Sequence, residues 1–507
     1  MRNDRSFMKK AVGKTGVCFF AALFFLFLLI NGTIYAQDFG FGFGDEENGS
    51  TSSANSGLNV TVGGEVSASM LGYVEDFSEG LDHIELGDIF SGKLNFSAKT
   101  SNGEGVINLN VEPSESPVSI DEAYLRGFFG SFEITAGLRK LTWGKADSLG
   151  PLDVINPLDT SQIYTEMADS DSLMGVKIAR PLVHASFRFG QFSKIEGVFV
   201  PWFEPHYIAT EGRWMPAQVK MLANPTIQMP DSLPIPVDVV VDPPTETKPD
   251  TTTLNFAQAG LRFTTTIGPA DIGIQYYYGR MHQPAAKINL TSFDLDMASF
   301  PYSVGVDAGM DIQYKYNPYH QFGLDYAQVL SGFNVRAELA ANITEDLAGD
   351  DGSVYNPSVA WSLGFDRDLF LGINLNLQVN ESIRLFHDKL GSKDISLPPG
   401  ILSNPQTAED AIKDSLDKVD IEGGSELTST RLTARLSKKF FRDELELRAA
   451  LVCGIEDKDF LVMPALIWTK DDISFALSGG IFAGDSDGQL GQYKDNNFVK
   501  VSLMYSF

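Results

Sequence analysis

Apolar residues recur at every second position along much of this chain, in segments roughly ten residues long. The last segment has one face with Val499, Val501, Leu503, Tyr505 and Phe507 and an opposite face with Lys500, Ser502, Met504 and Ser506. A strand of a soluble sandwich would alternate as well. In a membrane barrel the same alternation arises because one face meets lipid and the other a wet interior.

The alternation predicts eighteen strands, and we favour an all-β fold with a single antiparallel transmembrane barrel, sixteen strands being the alternative. The predicted strands are 57–72, 89–100, 103–112, 118–129, 132–141, 172–190, 194–202, 253–266, 271–282, 319–330, 333–344, 356–366, 370–387, 426–440, 443–454, 458–470, 472–483 and 496–507. Connections between them alternate, mostly, between long and short. Bacterial barrels have long outer loops and short periplasmic turns, so this alternation supports the count.

One predicted strand contains a proline. Splitting 172–190 at Pro181 would put the long segment 203–252 on the periplasmic side. We therefore interpret 172–190 as one bent strand with a bulge at Pro181, where the parity of the apolar residues switches and proline is tolerated.

The segment 118–141 predicts a hairpin with a two-residue type II′ turn at Gly130-Ser131, since this turn favours glycine first. The turn pairs positions whose numbers sum to 261, which keeps apolar side chains opposite apolar ones. The register predicts that four charged side chains face the lumen and line the pore: Glu122, Arg126, Glu133 and Arg139. It sets Glu122 opposite Arg139, and we expect a cross-strand ion pair there.

Charge and hydropathy exclude two classes of protein. The 507 residues include 39 Lys+Arg and 66 Asp+Glu, a net charge of −27, whereas nucleic-acid binding requires clustered basic residues. Nucleic acid is therefore not an expected partner. The mean hydropathy is −0.06 and there is one long apolar run, 17–30, whereas a helical transporter needs several runs of about 18 or more.

The N-terminus has the three parts of a secretory signal peptide: basic residues, the apolar run, and a small residue at Ala36. An uncleaved membrane anchor is the alternative. We predict a signal peptide at 1–36, a mature chain from Gln37, a flexible periplasmic tail at 37–56 and a barrel at 57–507. Export and the terminal aromatic strand predict the outer membrane, with its lipid as surroundings.

Four connections are long: 142–171, 203–252, 283–318 and 388–425. The proline-rich segment 203–252 predicts an irregular, partly polyproline surface loop. In 388–425, Asn404-Pro405 followed by apolar residues four apart predicts a short helix.

The first long loop carries the string W-G-x-x-D…D-x-x-N-P-x-D, formed by Trp143, Gly144, Asp147, Asp153, Asn156, Pro157 and Asp159. This string, with the C-terminal stretch Ile481–Phe507, resembles a family of uncharacterised porin-like outer-membrane barrels that is described as a domain of unknown function. The resemblance implies an outer-membrane barrel and no particular substrate. A terminal Phe507 with Tyr505 two positions before it also resembles the C-terminal signal of such barrels, which implies recognition by the barrel assembly machinery.

Two interpretations of this motif remain open. In the first, Trp143 lies at the membrane interface, while Asp153, Asn156-Pro157 and Asp159 form turns of a compact loop without a ligand. In the second, the loop folds inward and narrows the pore, with Asp147 and Arg139 at the narrowest point.

The sequence contains little evidence for a catalytic site or a metal site. His184-Ala185-Ser186 has a spacing seen in barrel phospholipases but lacks the Asn-Gly that follows the serine there. The six histidines show no metal spacing. We expect no catalytic residues, no metal and no cofactor.

The sequence therefore favours a passive channel for small solutes, because an eighteen-strand barrel is wide enough to hold a lumen. The solute is not identified. Two alternatives remain: an outer-membrane transporter of hydrophobic compounds, and a surface adhesin or structural barrel that acts through its loops.

Overall fold

The structure is a computed structural model, and it describes residues 57–79, 90–113, 117–170, 173–223, 227–228, 237–296, 304–390, 395–396, 405–419 and 427–507. The predicted signal peptide 1–36 and tail 37–56 lie outside the described residues. Among the described residues, none of the helices is long and apolar enough to cross a membrane.

Eighteen antiparallel strands close into one barrel. They are β1 (Asn59–Tyr73), β2 (Phe90–Lys99), β3 (Gly103–Val111), β4 (Val118–Phe129), β5 (Phe132–Arg139), β6 (Arg180–Phe189), β7 (Ser193–Val200), β11 (Gln258–Ile267), β12 (Ala270–Arg280), β15 (Pro318–Leu330), β16 (Phe333–Thr344), β17 (Ser358–Asp368), β18 (Ile373–Arg384), β20 (Thr428–Phe440), β21 (Leu445–Gly454), β22 (Asp459–Lys470), β23 (Ile473–Gly484) and β24 (Phe498–Ser506). The last strand, β24, pairs with the first, β1, so the sheet has no open edge. The predicted all-β barrel with eighteen strands is confirmed.

The remaining elements lie in the connections. The strands outside the barrel are β8 (Ile227–Gln228), β9 (Val237–Val241), β10 (Thr245–Thr247), β13 (Ala285–Asp296), β14 (Val304–Lys315) and β19 (Ile395–Ser396). The α-helices are α1 (Val74–Glu79), α2 (Ile163–Met167), α3 (Ala217–Ala223) and α4 (Pro405–Leu416), and 3₁₀ turns span Leu173–Gly175, Leu254–Phe256, Phe370–Gly372 and Gly491–Tyr493. We call the barrel end that carries the long connections the outer end.

The two faces of the barrel differ in polarity. Ile274, Leu324 and Leu339 lie side by side on β12, β15 and β16, and each is about half exposed on the outer surface. An adjacent residue on each strand points inward and is buried, and these residues are polar: Gln275, Asp325 and Glu338. An apolar exterior with a polar interior is the arrangement of a barrel that spans a membrane.

The hairpin of β4 and β5 has the predicted register, with Leu125 opposite Ala136 and Arg126 opposite Thr135. Gly130 has a φ of 64°, so the turn uses the conformation that glycine adopts without strain. The prediction of this register is confirmed.

The predicted bent strand 172–190 is wrong in its first part. The strand begins only at Arg180, and Pro181 pairs with Leu138 without a register shift. Before it, a 3₁₀ turn at Leu173–Gly175 and an isolated bridge between Lys177 and Leu158 belong to the preceding loop. The parity switch therefore marks the end of a folded loop, not a bulge.

Three outer connections combine into a small subdomain. The hairpin of β13 and β14 pairs with β9 and β10 from another connection, and α4 packs on this sheet. Its core contains Ile288, Met310, Ile312, Ile412 and Leu416. The helix predicted after Asn404 is confirmed from Pro405 onward, and Asn404 lies outside the described residues. The prediction that 203–252 is an irregular loop is wrong where it contains α3, β8, β9 and β10.

The last residue closes the seam between β24 and β1. The backbone N–H of Phe507 donates to Gly64 O at 3.0 Å, and the Gly64 N–H donates to Phe507 O at 2.9 Å. The Phe507 ring lies on the outer surface, stacked on Tyr505. The backbone of the terminal residue therefore closes the seam, and its ring forms part of the apolar outer surface.

Deletion of Phe507 should lower the yield of folded barrel severalfold, because it removes two seam hydrogen bonds and one lipid-facing ring. The measurement is the fraction of heat-modifiable protein in electrophoresis. Phe441→Ala is the control, since Phe441 is an exposed ring at the same barrel end, in the turn between β20 and β21 and away from the seam. Equal yields for the two variants would contradict a role of Phe507 in assembly.

Candidate functional site

The four charged residues predicted to line the pore lie on the inner face of β4 and β5. Arg126 Nε is 3.3 Å from a Glu133 carboxylate oxygen, and Arg126 Nη1 is 3.5 Å from Glu104 on β3. The Arg139 guanidinium lies over the Tyr124 ring, 5.2 Å from its centroid. Arg126 thus joins three strands within one charged group.

The predicted ion pair between Glu122 and Arg139 is wrong, since the described residues contain no such pair. Glu122 instead accepts the backbone N–H of Lys140 at 2.8 Å and the Asn108 amide at 3.1 Å. The reason is the end of β5: beyond Arg139 the backbone leaves the sheet, and its first free N–H needs an acceptor.

After β5 the chain turns into the lumen, and we call residues 140–179 the constriction loop. Its backbone is bound by inward-facing side chains of distant strands. The Gln275 amide donates to Leu152 O at 3.1 Å, and the Gln321 amide donates to Pro151 O at 3.0 Å. The loop therefore crosses the interior of the barrel, as the second interpretation of the motif expected.

Glu338 on β16 is the centre of this attachment. One carboxylate oxygen accepts the N–H groups of Lys145 and Ala146, the latter at 2.7 Å, and the other accepts that of Leu152 at 3.3 Å. Glu338 is only 4% exposed, so the loop amides replace the water that a buried carboxylate would otherwise need.

Two glycines of the loop, Gly144 of the motif and Gly150, let the Glu338 carboxylate come close to the backbone. A Cβ at Gly144 would lie 2.4 Å from a Glu338 carboxylate oxygen, and a Cβ at Gly150 would lie 2.3 Å from the other. Gly144 also has a φ of 102°, which side chains rarely tolerate. Both positions need glycine because the carboxylate comes so close to the backbone.

Asp147 lies on the far wall and not beside Arg139. Its carboxylate forms an ion pair with Arg336 on β16 and accepts the Asn376 amide of β18 at 3.0 Å. Gln378 on β18 accepts the backbone N–H groups of Asp147 and Ser148 at 3.0 and 3.1 Å. The loop end that carries Asp147 is thus held by two strands, β16 and β18, which lie on either side of β17.

Trp143 is not at the membrane interface, so that prediction is wrong. It is 2% exposed, and its ring meets Tyr277 edge to face at a centroid distance of 6.4 Å. The ring also lies close to Gly260, where a Cβ would be only 2.8 Å away. Because the chain turns inward after β5, the ring packs inside the barrel.

The other motif residues close the loop on itself. The Asn156 amide accepts the Leu141 N–H at 2.7 Å and donates to Arg139 O and Ile178 O, so it joins the two ends of the loop. The carbonyl of Pro157 accepts the Ile178 N–H at 2.8 Å. These bonds fix the points where the loop leaves and rejoins the wall.

Two aspartates stabilise the turns. Asp153 is 2.5 Å from the Lys177 ammonium; burial raises the pKa of Asp153, while Lys177 opposes the shift. Asp159 accepts the backbone N–H of Ser161 at 3.0 Å, which is the turn that its position predicted. The motif is therefore a scaffold for the inward fold.

A second loop crosses the mouth of the barrel, and we call residues 201–223 the mouth loop. It leaves β7, yet its Trp214 packs among aromatic rings at the outer ends of β1, β23 and β24, in the connection between β23 and β24, and in the constriction loop. These rings are Tyr73, Tyr164, Phe482, Tyr493 and Phe498.

Hydrogen bonds hold this contact in place. The Trp214 indole donates to the Tyr73 hydroxyl at 2.9 Å. Arg213 forms an ion pair with the buried Asp76 and lies over the Tyr73 ring at 4.6 Å. The mouth loop is therefore attached to the wall at both of these residues.

Two histidines, the half-buried His206 and the buried His282, join the mouth loop to the constriction loop. His206 Nδ1 accepts the Leu158 N–H at 2.8 Å, and the His282 ring lies 3.0 Å from Val154 O and 3.1 Å from Glu204 O. Burial lowers the pKa of His206 to about 3 and that of His282 to about 4. His206 accepts the hydrogen bond from Leu158 only as a neutral ring, which agrees with its lowered pKa.

These loops leave a cavity of about 360 Å³ on one side of the lumen, between the constriction loop and the inner wall of β17, β18, β20 and β21. The wall contributes mainly polar side chains, among them Asn380, Ser382, Ser429, Arg431 and Thr433. The loop contributes mainly apolar ones, among them Leu149, Ile163, Tyr164, Met167 and Leu173.

Sequence reasoning missed Glu338, Gln378, Arg336 and Trp214. The first three occupy inward positions of correctly predicted strands, so parity alone gave their direction. No local signal indicated that these three side chains bind backbone amides and Asp147 of the constriction loop.

Among proteins of known structure, the chain is similar to outer-membrane channels. They include OmpF of Salmonella typhi, determined in complex with daunomycin (8% identity, 88% of this chain and 97% of that chain, TM-score 0.39). They also include the channel DcaP of Acinetobacter baumannii (11%, 90% and 99%, 0.38) and OccK9 of Pseudomonas aeruginosa (8%, 89% and 97%, 0.44). No family model and no curated protein matches the chain. At these identities and TM-scores the neighbours do not decide the function, which rests on the geometry of this chain.

Proposed function

We propose that the protein is a porin-like channel of the bacterial outer membrane that passes small solutes without an energy source. The observation that carries this proposal is the constriction loop, which crosses the lumen on Glu338 and leaves a polar-walled gap beside it. A loop held across an eighteen-strand lumen restricts the passage to small solutes without closing it.

The charges along the inner face support a selective passage. Glu122, Arg126, Glu133 and Arg139 lie on one wall, and Arg336 with Asp147 lies on the other. Charged side chains that line a pore set its ion selectivity through their field. Four motif residues, Trp143, Gly144, Asn156 and Pro157, act in this proposal by fixing the loop and not by binding solute.

A second candidate function is favoured by one observation. The outer subdomain of β9, β10, β13, β14 and α4 has its own apolar core, which a simple pore entrance does not require. Such a unit would suit a surface adhesin that acts outside the membrane.

Planar-bilayer recording on the purified full chain distinguishes the two. A channel should give discrete ohmic current steps in KCl and a reversal potential that depends on the salt gradient. Heat-modifiable, folded protein that inserts and yet gives no steps would contradict the channel and leave the adhesin as the better account.

A further inference from the structure

The cavity beside the constriction loop has a chemically divided lining. Its only inward-facing charged side chain among the lining residues is Arg431 on β20. Glu381 also borders the cavity, but its side chain lies on the outer face. Directly paired residues of adjacent strands point to the same face, and Glu381 is paired with Trp361, which is paired with the half-exposed, outward Leu339. The lining is thus cationic on the wall and apolar on the loop.

Arg431 keeps hydrogen-bonding capacity for a ligand. Its guanidinium donates through Nη2 to the Gln489 amide oxygen, whereas an arginine carries five N–H donors. Ser429 and Thr433 lie two positions away on the same strand and share its inward direction. Asn380 is directly opposite Arg431 on β18. Donors from two strands therefore converge on the cavity.

Two buried carboxylates fix the borders of the cavity. Glu338 holds residues 145–152 of the constriction loop, as described above. Asp459, 1% exposed, accepts the N–H groups of Leu490 and Gly491 at 2.6 and 3.1 Å, and Leu490 lines the cavity. A site whose walls are held in this way loses little entropy when a ligand binds.

We propose that this cavity is a binding subsite for small amphipathic carboxylates, with Arg431 holding the carboxylate and Tyr164, Met167 and Leu173 contacting the apolar body. The inference rests on the proposed channel function and names its solute class. A guanidinium binds a carboxylate through two parallel hydrogen bonds. A neutral apolar solute would leave the donors of the polar wall unpaired, and an organic cation would be repelled by Arg431.

The test is block of single-channel KCl current by probes added to the full-chain protein in planar bilayers. The probes are benzoate, acetate, benzyl alcohol and benzylammonium. Benzoate should block at a concentration about tenfold below that of each other probe, since only benzoate can use both sides of the cavity.

Two variants separate the two halves of the site. Arg431→Gln should weaken block by benzoate about tenfold or more. Met167→Ser should weaken block by benzoate and leave block by acetate unchanged. Arg367→Gln is the control, because Arg367 lies over the Phe333 ring at the opposite barrel end. Benzoate should block this variant at the same concentration as the wild type.

The outcomes are distinguishable. Folded protein that conducts no KCl contradicts the channel itself. Protein that conducts, but is blocked equally by benzoate and benzyl alcohol or is unaffected by Arg431→Gln, overturns the carboxylate subsite and leaves the channel standing.

Discussion

Replacing Glu338 by alanine is expected to raise the unitary conductance severalfold and to make the open-channel current noisy. The substitution removes the acceptor of three loop N–H groups, and an unpaired buried N–H costs about 1–3 kcal/mol. The constriction loop should therefore leave its position across the lumen so that these amides reach water.

Single-channel recording measures this effect directly. Glu104→Ala is the matched control, since Glu104 is an inward-facing glutamate whose ion-pair partner is Arg126 on the wall and not the loop. Glu338→Gln should fall between the wild type and Glu338→Ala because it keeps one acceptor oxygen. A Glu338→Ala channel with wild-type conductance and noise would mean that the loop is held by its other contacts.

Replacing Trp214 by alanine is expected to raise the size limit for solutes that enter the barrel. The indole packs in a ring cluster and donates to the Tyr73 hydroxyl, and removing a packed tryptophan ring costs about 3–5 kcal/mol. The mouth loop should then detach from the wall at β1 and β24 and uncover the entrance.

Liposome swelling with a series of uncharged sugars of increasing size measures that limit. Trp468→Ala is the control, because Trp468 lies near the opposite barrel end and is 38% exposed on the surface. Identical swelling rates for the wild type and Trp214→Ala at every sugar size would show that the mouth loop does not restrict entry.

The two loops also explain why the lumen is so well filled. The constriction loop is bound to the wall by carboxylate and amide side chains, whereas the mouth loop is bound by aromatic packing and by the ion pairs of Glu204 and Arg213. His206 links them through the Leu158 N–H. The proposed channel therefore has two restrictions that depend on different interactions.

The sequence by itself determined the barrel. All eighteen barrel strands could be located, because alternation with a period of two is a local property that lipid on one side and water on the other impose on every strand. The hairpin around Gly130 could be predicted to the residue, since a two-residue turn fixes the register of the strands that it joins. The same parity gave the inward direction of Glu122, Arg126, Glu133 and Arg139.

Only the tertiary structure decided where the long loops run. Glu338 binds amides almost two hundred positions away, Trp214 reaches Phe498, and β9 pairs with β14 from another loop. An inward glutamate has the same local pattern whether it meets water, a cation or a loop backbone. The error at Trp143 and the wrong partner for Glu122 have the same origin: both follow from the inward turn after Arg139. Such partners meet only once the barrel has closed. Closure brings together segments that are far apart along the chain, and contacts between distant segments produce no periodic pattern in the sequence.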